Sequence, residues 1–281
     1  MPELPEVETV ANGVHQRVHG QTILSVWTSD KPQTFKSPPQ QIAEALTGSR
    51  IDRVHRVGKT IALDLTVLKT SGDPRNKKPA QFPVVQFLVH LGMTGRLLVS
   101  PPETPVPPHT HAILQLSGGR ELRFVDPRRF GRLSVMQEKY EGPGAEPLTI
   151  SLEDFLALFR NRRTPIKAAL LNQKLLHGVG NIYADESLFR AGIRPRRQAG
   201  RLTHAELTRL RTALKDILKH AIKLGGSSVS DYVDADGVRG FFQLQHKVYL
   251  RTGEPCRVCK TPIKRILLAG RGTHFCLHCQ K

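Results

Sequence analysis

Two Cys-x-x-Cys pairs, Cys256-Arg-Val-Cys259 and Cys276-Leu-His-Cys279, stand with 16 residues between them, and no other cysteine occurs in the chain. Each pair places two sulfurs on one tight turn, and two such turns complete a tetrahedron around zinc. In a reducing compartment this clustering reads as a metal site rather than as disulfides. Four thiolates leave no open coordination position, so the cofactor expected is one structural Zn2+ held by Cys256, Cys259, Cys276 and Cys279. Between the pairs, residues 264–275 read as a hairpin. Arg271 lies there in a Gly-Arg-Gly turn, whose glycines let the backbone approach a phosphate closely.

A metal-stapled hairpin is a small element, and 281 residues predict two domains. Residues 5–20 predict a helix, with Pro5 at its first position and Val7, Val10, Val14 and Val18 on one stripe. From 22 to 136 the pattern changes to seven short strands: TILSVW, RIDRVHRV, KTIALDL, VVQFLVHL, HAILQLS, ELRFV and RLSVM. A leading helix and seven strands predict a β-sandwich. Residues 70–81 and the proline-rich 100–110 read as loops, and 141–147 (EGPGAEP) as a hinge. The following residues read as helices. Ser151 with Asp154, and Thr203 with Glu206, have capping-box spacing, and Thr164-Pro165 is suited to open another helix. Leu207, Leu210, Leu214, Ile217, Leu218 and Ala221 make an apolar stripe ended by Gly225-Gly226. The fold class expected is therefore α+β in two domains: a β-sandwich with a flanking helix over 1–141, and a helical domain over 148–242 that carries a zinc hairpin over 243–281.

The formal net charge is +18, which calls for a polyanionic partner. The excess is local: residues 161–223 hold 14 Lys/Arg against 4 Asp/Glu, and 246–281 hold 8 against 1. No apolar run approaches the ~18 residues of a membrane span, and the acidic start lacks a signal pattern. A cytoplasmic protein with no membrane partner is expected.

Three further segments bear on chemistry. In HGVGNIYADESLF (177–189), Asn181 reads as the cap of a helix whose first N–H groups, preceded by glycines, suit a phosphate. DPRRFG (126–131) and HLGMTG (90–95) place Arg128, Phe130 and Met93 on tight turns, where unbranched or aromatic side chains are able to enter a base stack. Taken singly, each of the last two is more often a strand end with a core residue. MPELPEVE opens the chain. Once Met1 is removed, Pro2 carries a free secondary amine. An α-amine titrates near 7.7–8.0, far below lysine, so more of it is available as a nucleophile at neutral pH. Glu3 stands beside it as a candidate acid/base. Read locally, the same stretch is a stiff helix entrance.

Together these motifs, in this order, resemble formamidopyrimidine-DNA glycosylase nearly end to end: PELPEVE, the Gly-Lys at 58–59, HLGMTG, DPRRF, VGNIYADE and the four-cysteine finger. The resemblance implies a helix-two-turn-helix in the second domain. It also implies a monomeric, nucleoid-associated bacterial repair enzyme acting on duplex DNA with oxidised bases or abasic sites. Pro2 would form a Schiff base with C1′ of the damaged nucleotide, Glu3 would be the acid/base, and Glu6 would support it. Lys59 would donate a proton in β-elimination. Arg271 would grip phosphate and serve δ-elimination. His90 and Asn181 would hold phosphates, and His109, Arg163 and Lys167 would make further DNA contacts. Met93, Arg128 and Phe130 would fill the gap left by the everted base, with Arg128 reading the orphaned cytosine. Residues 225–237 would cover the everted base. Phe241 stands where the family has a tyrosine whose hydroxyl binds phosphate. Two other readings remain at this point. One is an endonuclease VIII-type glycosylase for oxidised pyrimidines, against which DPRRF and PELPEVE argue. The other is a non-catalytic zinc protein that binds damaged DNA.

Overall fold

The computed structural model describes residues 1–67, 84–228 and 232–281. The loop expected at 70–81 lies outside them. The chain divides into two compact units. One comprises residues 1–2, 6–141 and 228–240, the other 3–5, 142–227 and 241–281.

The first unit opens with helix α1 (Leu4–Val18). Its expected stripe, Val7, Val10, Val14 and Val18, is buried. Two four-stranded antiparallel sheets follow. The first contains β2 (Ser49–Val57), β3 (Thr60–Val67), β4 (Val84–His90) and β8 (Arg132–Met136), in that order. The second contains β1 (Ile23–Thr28), β6 (Thr110–Leu116), β7 (Glu121–Val125) and β5 (Arg96–Ser100), in that order. Ile51, Leu63, Phe87 and Val89 from one sheet share a core with Ile23, Leu114, Leu122 and Phe124 from the other. Burying each such side chain stabilises the fold by about 1.5–3 kcal/mol.

Two elements were not foreseen: β5, and helix α2 (Pro39–Leu46). Arg123 on β7 is fully buried. It donates to Glu121 (2.7 Å) and to the carbonyls of Pro105 (3.2 Å), Pro101 (3.3 Å) and Pro102 (3.4 Å), which fixes the proline-rich loop. The partners matter because an unpaired buried guanidinium is costly.

Residues 228–240 were expected with the helical domain, yet they group with the first unit. Tyr232 and Ala235 enter the sandwich core. The Tyr232 hydroxyl donates to the Glu6 carbonyl (3.2 Å), and Arg17 pairs with Asp236.

The second unit contains α3 (Leu152–Phe159), α4 (Ile166–Leu171), α5 (Asn181–Ala191), α6 (His204–Lys223) and a hairpin of β9 (Lys264–Leu268) and β10 (Arg271–Phe275). Ser151 caps α3 by accepting from the Asp154 N–H (3.0 Å). Thr203 and Glu206 form the full reciprocal box on α6. The cap of α4 is Pro165, one residue later than expected. The α6 stripe packs with Phe155, Phe159, Leu170, Tyr183 and Leu188 in one core. A separate small core of Phe189, Val248, Ile263, Cys256 and Cys276 seats the hairpin. Among the described residues no helix is long and apolar enough to cross a membrane.

Candidate functional site

In the second unit, the site is built on the first turn of α5. Its cap is Gly180, not Asn181. The Glu3 carboxylate, 4 % exposed, accepts from the N–H groups of Ile182 (3.1 Å) and Tyr183 (3.4 Å). The donors expected to take a phosphate are thus occupied by the chain's own carboxylate, a favourable placement at the positive end of a helix. A β-carbon on Gly180 would lie 2.2 Å from Glu3 Cδ. Gly178, with φ +92°, donates its N–H to Gln173, and its carbonyl accepts from the Leu4 N–H (3.0 Å). Those contacts set where the N-terminal segment lies against this unit's own helices.

Asn181 donates from Nδ2 to the Gly272 carbonyl (3.0 Å), and its buried Oδ1 has no hydrogen-bond partner among the described residues. Lys167 is fully buried. Its ammonium contacts Asp185 Oδ1 (2.6 Å), Thr273 Oγ1 (2.8 Å) and the Gly272 carbonyl (3.0 Å). Two of its protons go to the Thr273 hydroxyl and the Gly272 carbonyl, and its charge is paired with Asp185. The Lys167 side chain, expected at DNA, is buried in this structure against Asp185, Thr273 and Gly272. Burial lowers its pKa, against the pull of Asp185 and Glu3. The other Asp185 oxygen accepts from the His274 N–H (2.9 Å) and meets its Nδ1 (3.1 Å).

Lys167, Asn181 and Asp185 together fasten β10 to α4 and α5. At its first residue stands exposed Arg271. The β9–β10 turn uses Ala269 (φ +49°) and Gly270 (φ +73°), the left-handed pair that a tight hairpin requires. The Tyr249 ring packs edge-on to His274 at 5.2 Å. The buried Glu186 carboxylate gathers the N–H groups of Lys247, Val248 and Tyr249 at 2.8–3.0 Å. Arg163 is exposed on the α3–α4 loop. Asp185, Tyr249 and His274 went unnoticed in the sequence. Asp185 lies in the segment 177–189 and His274 in the hairpin 264–275, both of which the sequence marked out, whereas Tyr249 lies in neither.

The four cysteine sulfurs lie within 4.8 Å of one another, with Cys259–Cys276 at 3.4 Å and Cys256–Cys279 at 3.9 Å. A tetrahedron with Zn–S bonds of about 2.3 Å has edges of about 3.8 Å, so this donor set fits the ion. The Val258 and Cys279 N–H groups point at Cys256 and Cys276 sulfur (both 3.5 Å), which suits thiolate ligands.

In the first unit, Pro2 and Glu6 are buried at the chain start. Lys59 occupies the β2–β3 turn after Gly58 (φ +60°), and Thr60 lies opposite His90 in the sheet. Burial, then Lys59 and Arg132, lower the pKa of His90. Its Nδ1 accepts from the Gly92 N–H (3.2 Å), which leaves the proton of the neutral ring on Nε2. Met93 and Phe130 are exposed at 38 % and 47 %, and the Arg128 guanidinium stacks 4.8 Å from the Phe130 ring centre. His109 is exposed with φ +66°.

Family profiles match along the chain: the formamidopyrimidine-DNA glycosylase N-terminal domain over residues 1–133, its H2TH domain over 142–233, and a zinc finger found in FPG and IleRS over 253–281. A formamidopyrimidine-DNA glycosylase of Solibacter usitatus is 43 % identical over the whole of both chains. Among solved structures, MutM (Fpg) of Thermus thermophilus is 41 % identical with a TM-score of 0.82, covering 99 % of this chain and 98 % of that one. A Lactococcus lactis Fpg complex with DNA containing an abasic site is 32 % identical, TM-score 0.84, covering 99 % of each chain. A MutM complex with DNA containing carbocyclic 8-oxo-G is 32 % identical, TM-score 0.85, over the full length of both.

The two sheets, the helical unit and the four-cysteine hairpin thus define a DNA glycosylase of base excision repair. The chain belongs to the formamidopyrimidine-DNA glycosylase family, and its four cysteines hold one structural zinc.

Proposed function

We propose that the protein excises oxidised purines, 8-oxoguanine and formamidopyrimidines, from duplex DNA and then cleaves the abasic strand. The observation that carries this reading is the Glu3 carboxylate fixed on the first turn of α5, in the same unit as the fastened Arg271 strand. A carboxylate held by two backbone N–H groups is preorganised for proton transfer. The residue before it in the chain is Pro2.

With Met1 removed, the Pro2 nitrogen attacks C1′ and the bond from C1′ to the base breaks. The base leaves with that electron pair and takes a proton. The sugar ring opens to an iminium, which acidifies the C2′ proton. Loss of that proton expels the 3′ phosphate (β-elimination). A second elimination expels the 5′ phosphate and leaves a one-nucleotide gap. Glu3 and Lys59 move protons, and Glu6 supports the start of the chain. Arg271, His90, Asn181, His109 and Arg163 engage phosphates, which binds DNA without sequence preference and with strong salt dependence. Met93, Arg128 and Phe130 fill the gap after eversion, offsetting an unstacking cost of a few kcal/mol.

Borohydride reduction in the presence of an 8-oxoguanine duplex tests the reading. Protein shown by mass spectrometry to lack Met1 should become covalently linked to DNA, and Pro2→Gly should lose most of that product while keeping its DNA affinity. Absence of the adduct would reject amine catalysis and leave a non-catalytic damage binder. Substrate preference is read in parallel with oxidised-pyrimidine duplexes, which an endonuclease VIII-type enzyme would favour.

A further inference from the structure

Residues 91–95 carry the chain from β4 to β5, and residues 126–131 carry it from β7 to β8. Each therefore crosses from one sheet to the other. The strands they join are neighbours at both ends: His90 lies opposite Arg132, and Arg96 opposite Val125. The two crossings run side by side, and their backbones touch. A β-carbon on Gly92 (φ +64°) would lie 2.5 Å from both Gly131 N and Phe130 C.

One buried carboxylate joins them. Asp126 is 0 % exposed. Its Oδ1 accepts from the Thr94 hydroxyl (2.5 Å) and the Arg128 N–H (3.3 Å), and its Oδ2 accepts from the Gly131 N–H (2.7 Å). The carboxylate thus takes the backbone N–H of Arg128 rather than its guanidinium, which stays over the Phe130 ring. Asp126 is itself anchored, since its N–H donates to the His109 carbonyl and its carbonyl meets His111 Nε2, both at 3.0 Å. Met93, Arg128 and Phe130, all exposed, project from the two crossings that this group ties together.

We infer that Asp126 and Thr94 are positioning residues that couple Met93 to Arg128 and Phe130, so that the three side chains enter DNA as one preassembled wedge. This rests on the reading of those three as the groups that fill the gap. Two independent turns would each have to be ordered as the base leaves the stack. A joined pair has been ordered by folding, and preorganisation of this kind speeds a step that needs all the groups at once.

The test is the rate of base eversion, read by stopped-flow fluorescence of 2-aminopurine beside 8-oxoguanine in a duplex. Thr94→Val keeps the shape and removes the hydroxyl; it should slow eversion about tenfold, the order expected for a lost hydrogen bond to a charged group. Thr94→Ser, which restores the hydroxyl, should return within about twofold of wild type by the same reasoning. Trapping on a single-stranded abasic oligonucleotide, where no gap forms, should be unchanged in both. Met93→Ala and Phe130→Ala run in parallel. If they are slow and Thr94→Val is not, the coupling is wrong and the gap-filling reading stands. If they too evert at the wild-type rate, the gap-filling reading fails and the coupling with it. A Thr94→Ser as slow as Thr94→Val would assign the effect to packing and overturn the inference. Should Thr94→Val fail to give a cooperative melt, Thr94→Ala carries the same comparison without pressing a methyl group on the carboxylate.

Discussion

The carboxyl group of Glu3 occupies the space where a side chain on Gly180 would begin. Gly180→Ala should therefore push Glu3 off the first turn of α5. Loss of a positioned acid/base lowers turnover by about 10²–10⁴, so excision should fall at least about a hundredfold, with DNA affinity nearly intact. Single-turnover excision alongside a binding isotherm checks this. An alanine variant that excises normally would show that the carboxylate works from elsewhere.

Lys167 and Asp185 form a fully buried ion pair. Removing one partner strands a charge at a cost of about 3–5 kcal/mol. Lys167→Met should then lower the melting temperature by roughly 10 °C, at about 2–4 °C per kcal/mol for a body of this size. The double variant Lys167→Met/Asp185→Asn leaves no stranded charge, and its amide oxygen still accepts from His274. It should recover half or more of the loss. A double variant no better than the single one would contradict the electrostatic account.

Burial holds the His246 imidazole down at about 4, against a hydrogen bond at Tyr249 that acts the other way. In the unfolded chain it titrates near 6.5. Above that pH neither state binds the proton, so the contribution is flat. As pH falls from about 6.5 toward about 4 the unfolded chain takes up a proton that the native state refuses, and stability drops by up to about 3 kcal/mol. Denaturant melts from pH 7 to pH 4 should show that slope, and His246→Gln should flatten it. An equally steep slope in the variant would place the titrating group elsewhere.

Phe241 is 59 % exposed, and the resemblance puts a phosphate-binding tyrosine hydroxyl at its position. Phe241→Tyr should therefore tighten DNA binding by about 2- to 10-fold, the net worth of one hydrogen bond. Its melting temperature should stay the same, because the ring is already solvated. Unchanged affinity would show that this ring faces no phosphate.

Much of this molecule was legible in its residues because the chemistry is local. The cysteine spacing implied zinc, and Thr203 with Glu206 implied the start of α6. Alternation between polar and apolar residues marked seven of the eight strands in the two sheets. β5 escaped because its adjacent Leu97, Leu98 and Val99 show no alternation, and α2 behind Pro38 because no capping side chain marks its start. The Glu3 contact escaped for another reason: its partner is 179 residues away, and no local pattern announces it. Lys167 misled because a lysine in a basic stretch looks solvated, whereas tertiary packing surrounds it with Asp185, Thr273 and Gly272. Arg123 was missed in the same way, inside an apolar strand that looked complete without it.

Tyr232 and Ala235 lie in the core of a sandwich whose last strand ends at Met136. A nascent chain therefore cannot finish that core when its strands have emerged. It must wait for about a hundred more residues, roughly 5–20 s of synthesis. Meanwhile the growing chain has made most of the helical unit. A fragment ending within residues 141–147 would lack Tyr232 and Ala235, so cutting there separates segments of sequence, not finished bodies.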